Sequence, residues 1–128
     1  MLKEFLRLAV YIPIGEADDG PGPVVASAAA VQEILRVLRA FDFAGSVGTY
    51  QAVAEISAGA ETFVHTKDSA PAHGAAGIAA TVPSARLVTY VPAGTPGGRV
   101  DQMIGAVVSA HPWQHPVIEV DRVSLWMP

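Results

Sequence analysis

The sequence predicts an α+β domain in which a strand-helix-strand unit occurs twice, giving a four-stranded antiparallel sheet with two helices on one face. Three observations carry this. Leu6, Leu8, Val10, Ile12 and Ile14 alternate with Arg7, Ala9, Tyr11 and Pro13, the period-two pattern of a strand with one buried face. Two stretches, Val24 to Phe41 and Arg99 to Ala110, place apolar residues at helical spacing. An internal echo then relates the halves: Val10-Tyr11-Ile12-Pro13-Ile14-Gly15 matches Thr89-Tyr90-Val91-Pro92-Ala93-Gly94, and each copy leads into a loop and a helix. Repeated once, this is the split βαβ, or ferredoxin-like, duplication, whose right-handed crossovers put both helices on the same side of the sheet.

The elements follow in order. After the first strand, residues 15–23 are acidic and rich in Gly and Pro, a loop by composition. The first helix carries Val31, Ile34, Leu35 and Leu38 inward, with Arg36 and Arg39 near the negative end of its dipole. From Val47 to about His65 the chain reads as a long extended segment or a bent hairpin, with Gly59 as a bulge or bend. Residues 66–83 lack a period and predict a long surface excursion. A third strand covers Ala85 to Pro92, and the second helix turns Val100, Met103, Ile104, Val107 and Val108 inward. The last strand runs from Val117 to Trp126. Its apolar phase moves from Ile118 and Val120 to Val123 and Leu125, which predicts a second bulge or a twist. Prolines 13 and 92 are tolerated because each strand is ending there.

Composition bounds the function. A chain of 128 residues makes one domain, residues 1–128. With 51% hydrophobic and 16% charged residues it is apolar for its size, and the sheet face away from the helices, carrying Ala9 and Tyr11 with Val123 and Leu125 or Ile118 and Val120, is expected to need a cover such as a partner subunit. A net charge of -4 argues against nucleic acid as a partner. The absence of cysteine excludes disulfides, thiolate metal sites and cysteine nucleophiles. No apolar run is long enough for a membrane span, and the start of the chain reads as that of a cytoplasmic protein.

Toward its end the chain reads Ala110-His111-Pro112-Trp113-Gln114-His115-Pro116. This resembles the Ala-His-Pro-Tyr-Glu-Glu-Pro run that opens the last strand of the YqfO-type domain of NIF-three-like proteins, a domain similar to the trimeric CutA-like and PII-like ferredoxin folds. Gly48, Tyr50, Gly59, Phe63, Ser69, Pro71 and Gly74 fall at spacings that suit the same domain. The resemblance implies that fold and a homotrimer, and no reaction. Both glutamates of the run are replaced, by Gln114 and His115, and His73 stands where relatives have an aliphatic residue, so no acid-dependent role carries over.

Candidate sites are few. His111 and His115 with His65 and His73 offer four imidazoles, a set suited to a divalent ion such as Zn, Cu or Ni; the plain alternative is a rigid Pro-flanked turn with Trp113 packed beneath it. Tyr11 and Tyr90 either line a cleft or pack at strand ends. Arg86, Arg99 and Arg122 are candidates for an anion beside the loop at 94–98, and Glu16, Asp18 and Asp19 form an acidic loop without the spacing of a calcium site. No nucleophile elbow is present. The reading is an oligomeric ligand-binding or regulatory module with sites between subunits; the alternative is a divalent-metal protein, and an enzyme ranks third.

Overall fold

Strand β1 (Leu2–Pro13) is the centre of the computed structural model, which describes residues 1–67 and 75–128. A single 3-10 turn (Glu16–Asp18) follows it, then α1 (Gly22–Ala26), α2 (Ala29–Arg39), β2 (Ala54–Val64), β3 (Ala79–Pro92), α3 (Gly97–Ala110) and β4 (Ile118–Trp126). The four strands form one sheet in the order β2-β3-β1-β4, with every neighbouring pair antiparallel. The fold is therefore the expected α+β, ferredoxin-like arrangement.

Alternation decides which face is which. Leu8, Val10 and Ile12 of β1 lie beside Thr89, Leu87 and Ala85 of β3, and all are buried against Val31, Ile34 and Leu38 of α2 and Val100, Met103 and Val107 of α3. Packing of this kind, at about 1.5–3 kcal/mol for each fully buried aliphatic side chain, is what holds the helices to the sheet. Thr89 is the polar exception, and its hydroxyl donates to the Val53 carbonyl at 2.7 Å, so nothing polar is left unmet there. The intervening loop is locked by Gly45, whose φ of 65° is left-handed and where a Cβ would come within 2.3 Å of the Val53 nitrogen.

Several local expectations are corrected. The stretch expected as one helix from Val24 to Phe41 is two, broken at Ser27 and Ala28: the Ser27 hydroxyl turns back to the Val24 carbonyl at 2.6 Å, and the Gln32 amide donates to the Ala26 carbonyl at 2.7 Å. The β2 ladder is uninterrupted, with Gly59 opposite Ser84, so there is no bulge; the glycine leaves only an ordinary contact to Ser84 Oγ. Strand β3 begins at Ala79, not Ala85, because Ala79–Pro83 complete the ladder with Ala60–Val64, a pairing that small residues without alternation do not announce. The remainder of the expected excursion includes residues 68–74, which lie outside the described residues.

Strand β4 also pairs without a break. Its shift of phase reflects apolar residues on both faces: Val10 and Leu8 lie opposite Ile118 and Val120 on the helix side, whereas Phe5 and Lys3 lie opposite Val123 and Leu125 on the other. In α3, Val108 stays 39% exposed rather than turning inward. Among the described residues no helix is long and apolar enough to cross a membrane.

Candidate functional site on the open sheet face

The face turned away from the helices is not the greasy surface expected from composition. Phe5, Ala9, Val82 and Ser84 are buried on it, but its centre is a lattice of charges and hydroxyls set by register. Arg7 lies directly opposite Tyr90, and Tyr11 directly opposite Arg86, with Ala9 facing Val88 between them. A pseudo-two-fold axis between Ala9 and Val88 relates the two halves, and it is the physical meaning of the internal echo.

Each half is finished by its edge strand. On the β4 side, Asp121 lies opposite Arg7 and accepts two bonds from it, from Nε at 3.2 Å and Nη2 at 2.7 Å. Glu119 accepts the Tyr11 hydroxyl at 2.5 Å, and that hydroxyl in turn accepts from Arg86 Nε at 3.2 Å. The Arg86 guanidinium also lies 5.8 Å from the Tyr11 ring centroid, and the bond to Tyr11 holds its pKa above the ordinary arginine value. On the β2 side the positions equivalent to Asp121 and Glu119 are Ser57 and Glu55. There Arg7, Glu55, Ser57, Arg86, Val88 and Tyr90 line a shallow depression of about 160 Å³.

The histidines are placed as follows. His111 is 7% exposed at the end of α3, and both its ring nitrogens are engaged: Nε2–H donates to the Tyr11 carbonyl at 2.6 Å, and Nδ1 accepts the Trp113 backbone N–H at 3.0 Å. That pair of bonds selects the Nε2–H tautomer of a neutral ring, and burial, the largest cause, holds its pKa below the ordinary 6.5. Trp113 meets Phe63 edge-on at 5.0 Å between centroids, and Phe63 meets His65 at 5.1 Å, so His65 and His111 do share one aromatic corner. His115 is exposed and His73 lies outside the described residues. Among the described residues no group of three or more His, Asp or Glu comes together in a way that could hold a metal ion.

The corner exists because the β2–β3 hairpin runs past the end of β1: the β1 ladder stops at Pro13 and Ser84, while β2 and β3 continue to Val64 and Ala79. Glu61, opposite Val82 on this overhang, has a shielded Oε1 without a partner among the described residues, and burial raises its pKa.

Of the three candidate arginines Arg86, Arg99 and Arg122, Arg86 alone lies on the open face. Arg99 lies 4.0 Å from Asp42 and over the Phe43 ring, and Arg122 lies on the helix side, where with Leu6, Thr95 and Val120 it lines a separate cleft. The three therefore do not converge. Arg7 is absent from the sequence candidates, yet a signal for it exists: the echo extends three residues further upstream, with Arg7-Leu8 before Val10 matching Arg86-Leu87 before Thr89.

Comparison with known proteins adds a fold likeness. A crystal structure of a Bacillus cereus protein related to NIF3 superposes with a TM-score of 0.66 at 23% identity, over 96% of this chain and 26% of that one. The chain thus spans about a quarter of that protein's length. No family profile matches the chain, and no curated protein matches it. The likeness concerns the fold.

Proposed function

We propose that this chain is a ligand-binding or regulatory module of the CutA/PII-like type, working as a homo-oligomer, a trimer, and taking a small molecule on the open face of its sheet. The observation that carries the reading is the unequal finish of the two half-sheets: Arg7 beside β4 is closed by Asp121, whereas Arg86 and Glu55 flank a depression and, among the described residues, neither has an ion-pair partner. Perturbed and unfinished charge in a concavity marks a binding site better than it marks a structural one. Half-buried Val123 and Leu125 at the margin of the same face give a partner subunit an apolar rim to cover, which fits sites between subunits.

Native mass spectrometry together with sedimentation at micromolar protein tests the assembly: a trimer is expected, and a clean monomer overturns it. A thermal-shift screen of small polar compounds on the parent chain and Arg86→Gln tests the site. Compounds that raise the parent midpoint and leave the variant unmoved support the reading, and equal shifts in both place the ligand elsewhere.

A further inference from the structure

We infer that the depression between Arg86 and Glu55 takes a small amino-acid-like zwitterion, whose carboxylate pairs with the two Nη groups of Arg86, much as the Asp121 carboxylate pairs with Arg7 in the other half. This rests on the open face being a ligand site and names the class of ligand.

The protein carries its own template for the complex. Across the pseudo-two-fold axis Arg7 corresponds to Arg86, Tyr11 to Tyr90, Asp121 to Ser57 and Glu119 to Glu55. In the first half a carboxylate sits on the guanidinium through two bonds. In the second half Ser57 stands where that carboxylate belongs, and no carboxylate of the described residues comes within 4.0 Å of Arg86. Tyr11 engages Nε of Arg86, which leaves the two Nη groups of the fork for a carboxylate from outside.

Glu55 decides the rest of the ligand. Its counterpart Glu119 is satisfied by a tyrosine hydroxyl, but among the described residues no bond joins Glu55 to Tyr90. A negative group standing beside the vacant half of Arg86 repels a second negative charge and attracts an ammonium group. A molecule with a carboxylate and an amine a few bonds apart satisfies both, with Val88 as an apolar floor beneath it. The volume of about 160 Å³ is well below the ~300–1,000 Å³ of sites for larger ligands, so the side chain must be small.

The test is calorimetric titration and thermal shift of the full chain with L-alanine, acetate and ethylamine. Alanine is expected to bind at least about tenfold more tightly than either fragment, the cost of losing one charge-assisted bond. Arg86→Gln should weaken alanine by about tenfold or more, and Glu55→Gln should make alanine and acetate equivalent. Ser57→Asp supplies the missing carboxylate from within and should exclude alanine while the thermal midpoint stays at or above that of the parent. Alanine binding no tighter than acetate, or Ser57→Asp binding like the parent, overturns the inference. Acetate or inorganic phosphate binding that is lost in Arg86→Gln, without any preference for alanine, overturns the zwitterion alone and leaves the ligand site standing; silence toward all of them overturns both.

Discussion

Arg7 and Arg86 occupy equivalent positions in the two half-sheets, each directly opposite a tyrosine, yet of the two it is Arg7 that holds a carboxylate. Their substitutions should therefore separate. Arg7 and Asp121 are 41% and 51% exposed in their side chains, so the pair is solvent-screened and a double-mutant cycle in urea should return a coupling of about 0.2–1 kcal/mol. Arg7→Gln should lower stability by that amount and weaken ligand binding less than Arg86→Gln does, because the Arg7 guanidinium at the wall of the depression is already held by Asp121.

His111 makes folding sensitive to mild acid. Its folded pKa lies below the ordinary 6.5, so its contribution to stability is complete above pH 6.5 and is lost as pH falls through the folded value. Denaturant unfolding between pH 5 and pH 8 should show the parent weakening below 6.5. His111→Gln should remove that slope and cost about 1–3 kcal/mol at pH 8, since the Tyr11 carbonyl and the Trp113 N–H lose their partner.

Glu61 works in the opposite direction. Burial raises its pKa above the ordinary 4.5, so its stability contribution is complete below 4.5 and falls as pH rises through the folded value. Glu61→Gln should raise the thermal midpoint at pH 7 and change nothing at pH 4. Because most of the side chain is still solvent-screened, the gain should be a few tenths of a kcal/mol, up to about 1.

Zinc titration followed by imidazole nitrogen chemical shifts checks the histidine corner. Both nitrogens of His111 are bonded within the fold, so its resonances should hold still through a molar equivalent of zinc. Movement of His111 together with His65 or His115 would show the corner opening to form a metal site.

Gly45→Ala should be severe. The Cβ would meet the Val53 nitrogen at 2.3 Å with φ at 65°, which forces the loop off its bonds to the Tyr90 carbonyl and the Val53 N–H. A loss of about 2–4 kcal/mol in urea unfolding is expected.

Alternation along Leu6 to Ile14 and the twin Tyr-x-Pro-x-Gly strand ends were enough to predict the duplicated βαβ fold, because burial of one face imposes a period of two and duplication leaves a copy. They were not enough to find the site. The obvious part of the echo begins at Val10 and Thr89, which stops short of Arg7 and Arg86. The extra turn of β3 at Ala79–Pro83 was invisible because Ala and Thr carry little periodic signal and the strand is held by its partner in β2. The break at Ser27 was hidden for a related reason: a hydroxyl turned back on its own helix competes with the helix only once the surrounding turn has formed.

By itself the chain determined its class, the order of its elements, the duplication and the absence of cysteine chemistry, since each follows from periodicity or composition along one dimension. Register alone decided which edge residue meets which arginine, and so that Asp121 lies against Arg7 while Ser57 lies opposite Arg86. Residues tens of positions apart become neighbours only through hydrogen bonding between strands, and a shift of a single position would have exchanged the two faces and dissolved the site.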